Sequence, residues 1–384
     1  MSKHNQLAEI HKSGEPYIIY KSNKGFNLYT NFSKKIILDN KNIKTFLEKK
    51  YQDKSKNTDL FIGFFGYELL NNLINVKIPK QKNINFPKGI FYKPEKIINL
   101  SNNLNYKSIK HFKYSNFKVN INKNSYTKIF NKFLKRIKSG ETYQIKICTK
   151  YKTKSKINPL DFFSRLSKTN LAPEAFMIKD KNYSIISCSP ENLITKKGSL
   201  ISTKPIAGTV KKNKKMNKIR ALSYFKKNLK ETKEHNMIVD MERNDLSRIC
   251  QVGSVKLSKA KVVEEYKDLF HYVSLIKGKL RKNVKNIDII KAMMPGGSVI
   301  GCPKISTLNL LNNQEKENRN IYTGSFGYIK FNGDMRFNII IRSILNFKNF
   351  SEISVASGVV VDSNAKHEFN ENYIKAKALI DLFK

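Results

Sequence analysis

The 384-residue chain has no tryptophan and only 4 cysteines. Cys148, Cys188, Cys250 and Cys302 stand far apart and form no CxxC pair. That spacing argues against a zinc cluster or a disulfide framework and fits a reducing cytoplasm. No stretch approaches the roughly 18–20 uncharged apolar residues that a membrane span needs, so no membrane association is expected. The first residues, MSKHNQLAEIHKSGEP, lack the apolar core of a secretion signal. Acidic residues are also scarce, 30 against 73 lysines and arginines, which leaves a formal net charge of +43. Such a charge raises the possibility of a basic nucleic-acid-binding protein. Lysine is spread along almost the whole chain, however, together with asparagine and isoleucine. The densest cluster, KKNKKMNKIR (211–220), reads as a solvated loop or helix end. No specific nucleic-acid partner is therefore expected, only weak and salt-dependent binding of polyanions. With 40% hydrophobic residues, 17 glycines and 10 prolines, the chain is neither collagen-like nor wholly disordered.

Two regions differ in signal. Residues 1–115 are rich in lysine and asparagine, with one apolar block, LFIGFFGYELL (60–70), that reads as a buried strand running into a helix. The polar stretch 101–124 suits a connection to the second region, 116–384. There, Tyr126, Ile129, Phe130, Phe133, Leu134 and Ile137 fall at helical spacing, and Gly140 stands where a C-terminal cap belongs. In TYQIKIC, Tyr143, Ile145 and Ile147 alternate with Gln144 and Lys146, the period of a strand. Strands are also expected at 183–188, 200–206 and 353–361, one long helix at about 222–247, and another from about 366. Asn332-Gly333 predicts a hairpin turn. Strands and helices mix without a regular βαβ rhythm. The expectation is an α+β fold, with large antiparallel sheets in a sandwich-like core covered by helices.

Several patterns carry possible chemistry. Glu231 and Glu234 are three apart on one expected helix, and Glu368 and Glu371 on another, so each pair shares a helix face. Four converging carboxylates would make a hard oxygen site suited to Mg²⁺. Surface ion pairs explain the same spacing, since Lys375 follows Glu371 by four residues. The run MPGGSVIGCPK (294–304) suits either a structural turn or a backbone cradle for an anion, and matches no nucleotide-binding loop. Glu191 in SPE (189–191) and His271 in FHYVS read as a general acid and a catalytic imidazole, or as a solvated carboxylate and a core histidine.

Taken in order, SGETYQIKI, SPENL, PIAGT, KETKEHNMIVDMERNDLSR, FHYVS, MPGGSVIGCPK, IYTGSFGYI, NIIIRS, ASGVVVDS and HEFNENYIKAKAL resemble one family. The sequence is similar to the chorismate-utilising enzymes, strongly over 125–384 and also in GFFGYELL and FPKGIFY. The resemblance implies a magnesium-dependent site that binds chorismate. It implies that Glu191 is the general acid for departure of the C4 hydroxyl. Glu231, Glu234, Glu368 and Glu371 match the positions that hold Mg²⁺ directly or through water. Tyr322 and Arg342 match the pair that binds the enolpyruvyl carboxylate, beside a backbone N–H at Gly358. Lys375 matches a cation facing the substrate, and His271 and Ser298 match positions lining the ring and its C1 carboxylate.

Two positions separate the branches of the family. The members that add water to chorismate carry lysine where this chain has Gln144, and an amide is no general base. Ammonia is therefore the expected nucleophile. Ala207, in PIAGT, replaces the lysine of the PIKGT variants that form a covalent adduct at C2. Alanine there favours the anthranilate synthases. The glycines of MPGGS, the blocks GSFGYI and FNIIIRS, the short chain and the lack of an LLES segment favour the aminodeoxychorismate synthases. Amination at C4, on the route to 4-aminobenzoate and folate, is the first expectation. Amination at C2, on the route to tryptophan, is the alternative. No glutaminase nucleophile is recognisable, so a separate glutaminase subunit is expected to supply ammonia.

Overall fold

The apolar run at 60–65 forms the strand Leu60–Phe65, buried at every position, and Gly66 caps the helix Tyr67–Leu73 that follows. In the computed structural model, residues 3–79, 81–82, 84–101, 104, 106, 114–213, 215–266 and 269–384 are described. The expected connection at 101–124 lies partly outside them. The helix Lys123–Lys138 buries Tyr126, Phe130, Phe133 and Ile137, the helical stripe of the sequence, and the Asn122 side chain caps its start. The stretch expected as one helix over 222–247 is two, Lys218–Lys227 and Leu229–Ser247. Asn228 breaks it. Its extended backbone ends the first helix, and its side chain accepts the N–H of Glu231 at the start of the second.

The named strands join into one 18-stranded sheet in which every ladder is antiparallel. From one end the order begins with Lys256–Glu265 and Leu269–Lys279. Leu200–Lys204 and Ile206–Lys211 both pair with Leu269–Lys279. Asn192–Lys197, Met335–Asn338, Ser325–Lys330 and Leu60–Phe65 follow. Next come Gly89–Leu100, Gly25–Leu38, Tyr17–Ser22 and Glu174–Lys179. The order ends with Tyr183–Ser189, Ser343–Phe347, Phe350–Val359 and Gln144–Lys154. Lys118–Val119 and Gly301–Cys302 both pair with this last strand. Strands from the first 115 residues thus pair directly with strands of the second region.

The sheet folds back on itself. Phe176 stacks on Phe326 with ring centroids 3.7 Å apart, and Tyr20 meets Phe326 edge-on at 5.1 Å. Their strands are far apart in the ladder order, so one apolar cluster closes the sheet over its own face. Aromatic pairs of this kind add about 1 kcal/mol each beyond burial alone. Helix Leu229–Ser247 packs on Ile206–Lys211 and Leu269–Lys279, near one end of the order. Helix Ala365–Ile380 packs on Phe350–Val359, near the other. The folding of the sheet brings these two ends, and the two helices, to one place.

Candidate active site

The strand Gln144–Lys154 builds the floor. Its alternation sends Ile145 and Ile147 into the core. Gln144 and Lys146 emerge on the other face. Tyr143, expected with the apolar set, precedes the strand and is exposed. Gln144 Nε2 donates to Glu234 Oε1 at 2.7 Å, and Lys146 Nζ donates to the same oxygen at 2.8 Å. Gly358 is the ladder partner of Lys146. A Cβ on Gly358 would stand 2.7 Å from Lys146 Nζ and 2.9 Å from Gln144 Nε2, so glycine leaves both donors their space.

A cavity of about 1180 Å³ opens above this floor. It is lined by ten of the residues singled out from the sequence: Glu191, Ser298, Tyr322, Arg342, Gly358, Lys375, Glu231, Glu234, Glu368 and Glu371. Gln144 stands one hydrogen bond behind, through Glu234. His271 is likewise one bond away, its Nδ1 2.8 Å from Oγ1 of Thr209, which lines the cavity. Ala207 lies in the strand Ile206–Lys211, and its side chain falls outside the described residues.

Chain crossings position the two groups of opposite charge. Glu191 links Tyr183–Ser189 to Asn192–Lys197, and Arg342 links Met335–Asn338 to Ser343–Phe347. The segments run side by side, with Ile339 N–H donating to the Glu191 carbonyl and Cys188 N–H to the Arg342 carbonyl. Arg342 has a φ of +50°, a left-handed backbone that a bulky residue rarely adopts. No hydrogen bond or ion pair holds its guanidinium among the described residues. The run MPGGSVIGCPK forms a short 3₁₀ turn, Gly297–Val299, and the strand Gly301–Cys302. Pairing of that strand with Ile145 and Gln144 places Ser298 beside the floor. Glu191 Oε1 and Ser298 Oγ are both buried and neighbour each other closely enough for the serine to act on the carboxyl, yet neither makes a well-aligned hydrogen bond among the described residues. Buried polar atoms left so are costly in a finished fold and are expected where a ligand completes them.

The carboxylates fall into two electrostatic classes. Burial pushes the Glu191 carboxyl up to about 7, against the pull of the Ser298 hydroxyl, Lys146 and Arg342. Burial also acts on Glu234, but Lys146, Gln144 and Lys375 outweigh it and bring that carboxyl down to about 2. Glu371 is lowered too, because Lys375 at 2.6 Å overcomes its burial. Burial and the Arg342 charge push His271 down to about 4, so its ring is neutral at pH 7. One site therefore holds a carboxylic acid near neutrality beside two firmly ionised carboxylates, a separation suited to acid–base chemistry.

Carboxylates from two helices line the same cavity. A Cβ on Gly208 would lie 2.4 Å from Glu231 Oε2, which fixes Glu231 against the strand Ile206–Lys211. On the second helix, Glu368, Glu371 and the exposed His367 each bring a ligand atom within 4.8 Å of the others. The donor set is carboxylate-rich, as an oxygen-loving divalent cation requires. The surface-pair explanation survives in part, since Lys375 does pair with Glu371, yet both line the cavity. Lys146 and His367 are the residues that the sequence reading passed over. Lys146 shares the alternation of Gln144, which was signal enough; His367 carried none beyond its place beside Glu368.

The family described as chorismate binding enzyme matches residues 12–381. The chain belongs to that family. Among curated relatives, it is 34% identical over 264 residues to aminodeoxychorismate synthase component 1 of Bacillus subtilis, covering 68% of this chain and 56% of that protein. It is 31% identical over 332 residues to anthranilate synthase component 1 of Saccharolobus solfataricus, covering 83% of this chain and 79% of the relative. The match thus spans little more than half of the Bacillus protein. The crystal structure of anthranilate synthase component I from Streptococcus pneumoniae superposes with a TM-score of 0.75 at 26% identity, covering 94% of this chain and 89% of that one. The menaquinone-specific isochorismate synthase of Escherichia coli shares the fold, with a TM-score of 0.76 at 16% identity over 96% of this chain and 89% of that one. Among the described residues, no helix is long and apolar enough to cross a membrane.

Proposed function

We propose that the protein is the aminating component of an aminodeoxychorismate synthase, replacing the C4 hydroxyl of chorismate with an amino group from ammonia. The observation that carries this reading is the convergence on one cavity of a near-neutral Glu191, an unpaired Arg342 and four glutamates from two helices. Arg342, with Tyr322, takes the enolpyruvyl carboxylate, since a guanidinium binds a planar carboxylate through two parallel N–H donors. Glu231, Glu234, Glu368 and Glu371 would hold Mg²⁺ directly or through water, and the bound ion would neutralise and orient the ring carboxylate. Lys375, Ser298 and the Gly358 N–H complete the cradle around the anion. Glu191 protonates the C4 hydroxyl as the C–O bond breaks, and water leaves. Ammonia forms the new C–N bond and returns a proton to the Glu191 carboxylate, so the acid is regenerated. Water is disfavoured as nucleophile because Gln144 is an amide and the Lys146 ammonium is engaged by Glu234. A separate glutaminase component, cytoplasmic like this one, delivers the ammonia.

Amination at C2 with loss of pyruvate, the anthranilate reaction, is the second reading. The name of the Saccharolobus relative and the alanine of PIAGT favour it. Neutral His271 would then serve the elimination. Chromatography of products from chorismate, Mg²⁺ and an ammonium salt decides between them, run with and without an aminodeoxychorismate lyase. 4-Aminobenzoate appearing only with the lyase is the expected result. Fluorescent anthranilate as sole product replaces the first reading by the second.

A further inference from the structure

Glu234 and Glu371 each hold a lysine. Lys375 reaches Glu371 along its own helix at i,i+4 spacing and also donates to the Ala356 carbonyl at 2.9 Å. Lys146 is different. It comes from the strand Gln144–Lys154, across the cavity floor from Glu234, and its side chain is only 12% exposed. Its ammonium is wedged between Glu234, the Gln144 amide and the Cα of Gly358, with Glu191 and Glu371 within electrostatic reach. A divalent cation that uses Glu234 meets this ammonium at the same carboxylate oxygen. Like charges cannot share that oxygen at full strength. Once displaced, the ammonium keeps only the more distant charges of Glu371, already paired with Lys375, and Glu191, and a buried charge that loses its hydrogen-bonded counter-ion is unfavourable. An anion in the cavity supplies a new counter-ion. A divalent cation and a dicarboxylate also enter as a neutral pair, leaving the charge of the site unchanged.

From this we infer that Lys146 couples metal binding to substrate binding by exchanging Glu234 for a carboxylate of the substrate. The inference rests on the chorismate and Mg²⁺ reading given above. Lys146 keeps Glu234 occupied in the empty enzyme and releases it when the dicarboxylate arrives. Linkage makes the effect reciprocal: the substrate tightens the metal by the factor with which the metal tightens the substrate.

The test is Mn²⁺ binding, followed by electron paramagnetic resonance and by calorimetry, with and without chorismate and with no ammonia present. In the unaltered enzyme, chorismate should tighten Mn²⁺ by about tenfold, within the ordinary range of coupling between sites. Lys146→Met should bind Mn²⁺ about tenfold more tightly than the unaltered enzyme when chorismate is absent, and chorismate should then add little. Lys146→Arg keeps the charge and should stay with the unaltered enzyme. Lys146→Gln, neutral but polar, gives the same comparison should the methionine variant lose its fold. Equal Mn²⁺ affinity of the neutral variants and the unaltered enzyme overturns the role of Lys146 while leaving the proposed function intact. Failure of every variant and of the unaltered enzyme to bind Mn²⁺, even with chorismate, overturns the metal site itself and this inference with it.

Discussion

Replacing Glu191 with glutamine should stop the reaction and at the same time make the protein more stable at neutral pH. Burial raises this carboxyl from 4.5 to about 7 in the folded chain. Between those two values the unfolded chain has released the proton and the folded chain still holds it. The folded state then binds more protons, so stability falls as pH rises from about 4.5 to about 7. A shift of this size corresponds to about 3 kcal/mol, at about 1.4 kcal/mol per pH unit. Glutamine keeps the shape and one donor but never ionises, so the variant escapes that loss. Urea titration at a series of pH values is the assay. The stability gap between Glu191→Gln and the unaltered protein should be small near pH 4.5 and widen to about 3 kcal/mol by pH 7. Activity should move the other way. General acid catalysis contributes about 100- to 10,000-fold, and the glutamine variant should lose that factor in chorismate consumption. In the unaltered enzyme, kcat/KM for chorismate should fall about tenfold per pH unit above pH 7, as the acid ionises. A stability gap that does not change with pH, or a variant less stable at pH 7, would refute the buried-acid reasoning. His271 should add no limb between pH 5 and 8, because it is already neutral there.

Glu234→Ala should lower chorismate turnover at least about 100-fold, the loss expected when a metal site is impaired, while circular dichroism stays native. Near-normal turnover would make Glu234 a mere surface ion-pair residue. Asp245 and Lys304 form a buried pair at 2.6 Å, outside the cavity, in which both side chains are almost fully covered. Asp245→Ala should therefore cost about 3–5 kcal/mol in urea unfolding, because it strands the lysine charge; an unchanged midpoint would show that the ammonium finds other partners. Ala207→Lys places an amine where the PIKGT enzymes have theirs and should shift mixed product toward the C4 amine. Mass spectrometry of the acid-quenched protein, with ammonia omitted, should find a chorismate-derived adduct on that variant and none on the unaltered chain. The reverse pattern would exclude the direct route to C4.

Local elements were legible wherever one residue pattern decided them. The period of two in QIKIC placed Ile145 and Ile147 in the core, and the stripe from Tyr126 to Ile137 became a buried helical face. The break at Asn228 was hidden because lysines and asparagines are common throughout the chain, so one capping asparagine does not stand out. The register that closes the sheet was beyond any local pattern. Phe176 and Phe326 lie 150 residues apart in sequence, and nothing in either segment names the other. Pairings between residues so distant depend on the whole set of ladders forming together.

The site was legible where it matched the ordered motifs, Arg342 and Lys375 included, and obscured at Lys146. In a chain of net charge +43, each glutamate is conspicuous, and Glu191, Glu231, Glu234, Glu368 and Glu371 all meet at one cavity. A lysine in the same sequence is one among dozens, and the solvated reading is the natural one for any of them. Lys146 defeats that reading through its neighbours. Gln144 precedes it by two residues and therefore shares its face, and Gly358 opposite provides no side chain to fill the space. Gln144 was a candidate through the family resemblance alone, and the strand alternation that carries its side chain to the cavity floor carries Lys146 there too. Charge of the whole chain says how an anion is drawn toward the protein. The local excess of carboxylates says what holds a cation once there. These are separate questions, and the overall basicity that pointed toward polyanions carried no information about the acidic cavity inside.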